Sequence, residues 1–184
     1  MNQMFFDCTS LTSLDLSNFD TSQVTEMFGM FYSCSSLTSL DLSYFDTSQV
    51  IDMGYMFSYC SSLTSLNLSN FNTSKISFIH EMFSYCNNLE YINLYNFDEI
   101  LLNSFIMFDN VSINIVICLN ENINEANIPQ ISRLSCHVKD CSNDWKSKQK
   151  KINGNTNECI ENCDNINQYE YNGKCVSSCS YVYL

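Results

Sequence analysis

Apolar positions along this chain follow two alternating rhythms. In Leu37-Thr-Ser-Leu40-Asp-Leu42-Ser, Leu40 and Leu42 alternate with polar residues, the period-two pattern of a strand with one buried face. Phe45 closes that segment. Asp46-Thr-Ser-Gln49 then sets an Asx residue three positions before a glutamine, the spacing of a helix-starting capping box. After it, Val50, Met53, Met56, Phe57 and Cys60 fall three to four residues apart, the stripe of an amphipathic helix. The pattern therefore predicts a short strand, a turn, and roughly two to three helical turns.

The same text recurs. Met4-Phe5, Met30-Phe31, Met56-Phe57 and Met82-Phe83 are each 26 residues apart, and Met107-Phe108 arrives one residue early. A period of this length is the mark of stacked units, none of which can bury both of its apolar faces alone. Stacking the strands into a parallel ladder supplies the missing hydrogen bonds and contacts. The expectation is an α/β solenoid over 1–130, with a parallel sheet on one side and short helices on the other. Glu99 to Phe108 reads as helical, and Ser112 to Leu119 as a last strand. The chain opens in mid-unit, with no polar cap before Met4. This leads to the expectation that residue 1 is not the natural start of the architecture and that a targeting signal lies upstream in a longer parent.

The Met-Phe pairs and the repeated cysteines Cys8, Cys34, Cys60 and Cys86 sit on the helical stripe, so both read as core. On a fanned helical side, equivalent cysteines are expected to lie beyond disulfide reach and to remain buried thiols.

The triplets Leu11-Leu14-Leu16, Leu37-Leu40-Leu42 and Leu63-Leu66-Leu68 have the L-x-x-L-x-L form of a leucine-rich-repeat strand. The wider pattern, MFxxCSSLTSLDLSNFDTSxVTxM, is similar to the BspA-like leucine-rich-repeat surface proteins of bacteria, mycoplasmas and anaerobic protists. The likeness covers about 4 to 108. It departs from the common leucine-rich repeat in having Phe19, Phe45, Phe71 and Phe97 where an Asn ladder usually sits. The resemblance implies a leucine-rich-repeat-like arc with the sheet on its concave side. It also implies a cell-surface or extracellular adhesion protein that binds another protein or host matrix.

If the strands alternate as written, Ser13, Asp15 and Ser17 face the concave side, as do Ser39, Asp41 and Ser43, then Ser65, Asn67 and Ser69. In the fourth unit Glu90, Tyr91, Asn93 and Tyr95 bring larger side chains to that face, and tyrosines are effective anchors for a protein partner. The competing reading makes the Ser and Thr positions simple solvated strand filler. Three sequons, at Asn67, Asn72 and Asn110, are glycan candidates, with Asn110 expected to be the most accessible.

Past Ile128-Pro129 the composition changes. The segment 131–184 carries Cys136, Cys141, Cys159, Cys163, Cys175 and Cys179, with Trp145 and a lysine run at 146–151. So short and loop-rich a segment is expected to be a small disulfide-rich irregular module held by cross-links. Cys118 with Cys136 or Cys141 is a further candidate pair. Cys159-x3-Cys163 and Cys175-x3-Cys179 resemble the small cysteine-rich modules of protist surface proteins, broadly of furin type. That resemblance implies Cys159–Cys175 and Cys163–Cys179, although four cysteines allow three pairings. A zinc site using Cys136, His137 and Cys141 is the sharper alternative, but its spacing is not that of a common zinc knuckle. No metal or other cofactor is assigned.

Charge separates the two parts. Residues 1–132 hold 14 acids and one base, Lys75, whereas 133–184 hold seven bases and six acids. An acidic face repels phosphate, which argues against a nucleic-acid partner. The only histidines are His80 and His137, His80 stands where other units have Phe28 and Gly54, and no glycine-rich phosphate loop occurs, so the reading is non-catalytic. No run approaches the roughly 18 apolar residues of a membrane helix, so any anchoring is assigned to missing flanks. Two functions follow: surface recognition, or an intracellular leucine-rich-repeat scaffold with all eleven cysteines reduced.

Overall fold

The computed structural model describes residues 1–103, 106–111, 115–124 and 128, and the backbone of five short strands beyond them. β1 (Ser65–Asn67), β2 (Tyr91–Asn93), β3 (Val116–Cys118) and β4 (Cys136–Val138) form one parallel sheet in that order. Ser65 pairs with Tyr91, Tyr91 with Val116 and Val116 with Cys136. The register thus advances by a full 26-residue unit from β1 to β2, by 25 residues to β3, where Met107-Phe108 arrives early, and by only 20 residues to β4. The sheet continues past residue 130 through β4. A second four-stranded sheet has the order β6 (Cys159–Ile160), β5 (Lys151–Asn153), β8 (Lys174–Val176), β7 (Tyr169–Tyr171).

Leu66 is buried between half-exposed Ser65 and exposed Asn67, the alternation expected of a one-sided strand. Leu16 and Leu42 are buried in the same way in the first two units. Phe45, Phe71 and Phe97 are buried beyond the strands, and the second ring column packs face to face through the stack. Centroid spacings are 5.5 Å for Phe5–Phe31, 5.6 Å for Phe31–Phe57, 5.9 Å for Phe57–Phe83 and 5.5 Å for Phe83–Phe108. Each such pair adds about 0.5–1.5 kcal/mol beyond its buried area.

The helices expected in each unit are not there. The single α-helix among the described residues is α1 (Glu99–Leu102), capped by Asp98, whose carboxylate accepts from Leu101 N. In the other units the apolar stripe is carried by a ribbon of turns. Met30 N, Tyr32 N and Cys34 N donate to the carbonyls of Met27, Gly29 and Phe31, three residues back. The intervening donors Met27 N, Gly29 N, Phe31 N and Ser33 N reach into the next unit, to Asp52, Gly54, Met56 and Ser58 O at 2.8–3.0 Å.

Two left-handed residues per unit enforce this path: Gln3 and Asp7, Gly29 and Ser33, Tyr55 and Tyr59, Glu81 and Tyr85, Ile106 and Asn110. A left-handed residue ends a helix, and each second N–H finds its acceptor in the neighbouring unit instead. Three-residue turns also bring Met27, Met30, Phe31 and Cys34 to one side, so the spacing alone does not separate the two structures.

The capping-box reading is corrected along with the helix. Asp46 accepts from Ser48 N, two residues on, at 2.9 Å, and Asp20 does the same with Ser22 N. These are Asx turns. They lead into a buried threonine column. Thr47 Oγ1 accepts from Asn72 N at 2.8 Å and donates to Asn72 O at 3.1 Å, and Thr21 makes both bonds to Asp46.

Candidate recognition surfaces

The strand face presents the row read from sequence. Ser13, Asp15, Ser17, Ser39, Asp41, Ser43, Asn67 and Tyr95 are exposed, and Ser65, Ser69, Glu90 and Tyr91 are partly exposed. Asn93 is the exception: it is 1 % exposed. Val116 and Cys118 on β3 are also buried, whereas Tyr91 and Tyr95 beside Asn93 are not, so Asn93 alone is removed from the candidate surface.

The acidic members of the row have a local task. Asp15 accepts from Ser17 N at 3.0 Å and Asp41 from Ser43 N at 2.9 Å. Asn67 and Asn93 repeat the bond with Ser69 N and Tyr95 N. The N–H and hydroxyl of the following serine stabilise the carboxylate and hold Asp15 and Asp41 below the usual carboxylate range. A column that serves equally with Asp or Asn is turning the chain, and its charge is incidental to that.

The turn side carries a surface that the sequence reading missed. Seven rings from four units touch in one patch. Phe6 stacks on Tyr32 at 4.7 Å and Tyr59 on Tyr85 at 4.4 Å, with Tyr32–Tyr59 at 5.4 Å joining the two pairs. Tyr55 meets Phe28 at 5.5 Å, Tyr32 at 6.3 Å and His80 edge-on at 4.8 Å. Phe6 and Tyr59 remain 39 % and 40 % exposed. The tyrosine hydroxyls resist ionisation, Tyr55 chiefly through its 2.8 Å bond to Glu81 and Tyr59 chiefly through desolvation among its neighbours. The signal was present in the two variable positions of Met-Phe-x-x-Cys, which hold an aromatic residue in all four units. Treating the whole motif as a buried stripe concealed it.

The cysteines of the repeat are thiols: Cys34, Cys60 and Cys86 are buried and Cys8 partly so. The reason differs from the one expected. The turn side does not fan apart, since units are hydrogen-bonded there throughout. Instead each Sγ points back to a carbonyl of the previous unit, Cys34 to Phe5, Cys60 to Phe31 and Cys86 to Phe57, at 3.1–3.2 Å.

Cys118 is disulfide-bonded. The side chains of Cys136, Cys141, Cys159, Cys163, Cys175 and Cys179, and that of His137, lie outside the described residues. All three sequon asparagines are exposed. Asn67 is tied to Ser69 N, Asn72 accepts from both Ser74 N and Ser74 Oγ, and Asn110 donates to Asp109. Among the described residues, no group of three or more His, Cys, Asp or Glu is arranged to hold a metal ion, and no helix is long and apolar enough to cross a membrane.

A family described as "Mycoplasma protein of unknown function, DUF285" matches residues 1–117. No curated protein and no solved structure matches the chain.

Proposed function

The chain belongs to the DUF285 family, and from that premise we propose that it is a non-catalytic surface recognition or adhesion module of BspA-like type, a leucine-rich-repeat-like solenoid that binds a protein or matrix partner. The observation that carries this reading is the seven-ring patch on the turn side. Contiguous exposed aromatic surface marks interaction sites, and tyrosine supplies large contact area at small entropic cost. Rings fixed by stacking lose little further freedom on binding. The disulfide at Cys118 favours an oxidising, extracellular setting over a reduced intracellular scaffold. The strand face, with Tyr91 and Tyr95 at its fourth unit, is the second surface offered to a partner.

The test is direct. Labelled chain is applied to decellularised extracellular matrix and, as a control, to albumin. Saturable binding to matrix alone is expected, and equal or absent binding overturns the reading. Thiol titration of native-source protein, denatured without reductant, should find fewer than the eleven cysteines reactive. Reaction of all eleven would assign the chain to the reduced scaffold.

A further inference from the structure

We infer that the aromatic patch is a docking site for a basic, arginine- or lysine-rich polypeptide segment. The inference rests on the recognition reading above and names the chemistry of the partner. Three carboxylates lie near the rings. Exposed Asp7 follows Phe6 in the chain. Glu81 accepts the Tyr55 hydroxyl. Asp52 and His80 both face Gly54, beside Tyr55. The backbone of Glu26 bridges to that of Asp52 across the units, and Glu26 accepts from Asn2 at 2.6 Å on its carboxylate and from the Met1 ammonium at 2.7 Å on its carbonyl. Lys75 is the only lysine or arginine in the first 132 residues, and it donates to Gln49. A partner that brings cations meets complementary charge at Asp7, Asp52 and Glu81, with tyrosine hydroxyls and ring systems between them.

Stacking reduces the ring face open to a sugar, the main competitor. A sugar ring packs on a free aromatic face. Here Tyr59 and Tyr85 lie within 6° of parallel and Phe6 and Tyr32 within 5°, so each pair covers its own facing surfaces. Each stacked ring keeps one outer face and its edge, and the tyrosines their hydroxyl oxygens, which suit cation–π contact and hydrogen bonding with guanidinium and ammonium groups. Nucleic acid is disfavoured by like charge.

The probe is a nona-arginine peptide titrated against the full chain by calorimetry at low and at physiological salt, with nona-glutamate as control. We expect binding of nona-arginine alone, weakened by salt. The double variant Tyr59→Ser/Tyr85→Ser should lose about tenfold in affinity or more, as should Asp7→Asn/Glu81→Gln. Tyr59→Phe/Tyr85→Phe keeps the stacked pair and serves if the serine variant fails to fold. It should lose less than Asp7→Asn/Glu81→Gln. The charge-matched control is Asp20→Asn/Asp46→Asn in the Asx turns, outside both candidate surfaces, where the third unit already uses Asn72. It should bind as the parent does. Equal losses from the two carboxylate pairs would reduce the binding to diffuse charge and overturn the proposal, as would no binding at all. If matrix adhesion persists while nona-arginine fails to bind, the recognition reading stands and this inference falls.

Discussion

The thiol of Cys60 donates to the carbonyl oxygen of Phe31, one unit and three residues earlier, at 3.1 Å. Cys86 makes the same bond to Phe57. Burial pushes both thiols up, Cys86 to about 12, because the thiolate would lose its hydration in an apolar interior. Folded values above the unfolded one mean that the native state holds protons the unfolded chain releases. Stability from these groups is complete below about pH 8.5 and falls as pH rises toward the folded values. Urea unfolding at pH 8 and pH 10 should differ by about 1–2 kcal/mol for each of the two thiols. Cys60→Ala/Cys86→Ala should flatten that dependence while losing stability at pH 8. An unchanged slope would place the titration elsewhere.

Thr47 completes a different contact between units. Its buried hydroxyl both accepts from and donates to the backbone of Asn72. Thr47→Val has nearly the same shape but leaves that N–H and carbonyl unpaired. A loss of about 1–3 kcal/mol is expected from urea denaturation, most of it restored in Thr47→Ser. Equal loss in both variants would show that packing of the methyl group matters as much as the bonds.

Much of this was legible in the chain. The 26-residue period foretold which residues neighbour one another, because translation of a unit pairs Ser65 with Tyr91 whatever the unit's internal structure. The L-x-L alternation correctly placed Leu66 inside and Asn67 outside. What failed was the conformation between Val50 and Cys60. Side-chain spacing reports which residues face inward, and both a helix and a three-residue turn ribbon satisfy it. The difference lies in where alternate backbone N–H groups go, and no side chain announces that. Burial of Asn93 was similarly hidden, since it depends on what covers that position and not on the strand's own pattern.

The left-handed column offers a third test. Gly29 meets this conformation at φ 56° without a steric penalty, but Ile106 occupies the equivalent position at φ 62° with a β-branched side chain. A β-branched residue is among the least suited to that region. Ile106→Asn should therefore stabilise the protein by about 1 kcal/mol, read as a higher urea midpoint at unchanged slope. Gly29→Ala should act in the opposite direction. A destabilised Ile106→Asn would mean that its partial burial outweighs the strain.

Acid unfolding tests the role assigned to the strand-face carboxylates. Asp15 and Asp41 are held below their ordinary range by the N–H and hydroxyl groups of Ser17 and Ser43. A depressed folded value means that the stability these groups contribute is present above about pH 4 and is lost as pH falls through the folded value. Replacing Asp41 with asparagine keeps the acceptor for Ser43 N, as Asn67 does for Ser69 N, and removes a titrating group. Asp41→Asn should thus match the parent at pH 7 and unfold at lower pH, followed by circular dichroism. Asp41→Ala removes the acceptor and should be weaker than both at neutral pH. If Asp41→Asn is as weak as Asp41→Ala, the charge itself is required, and the row would then have to be reconsidered as an electrostatic feature in its own right.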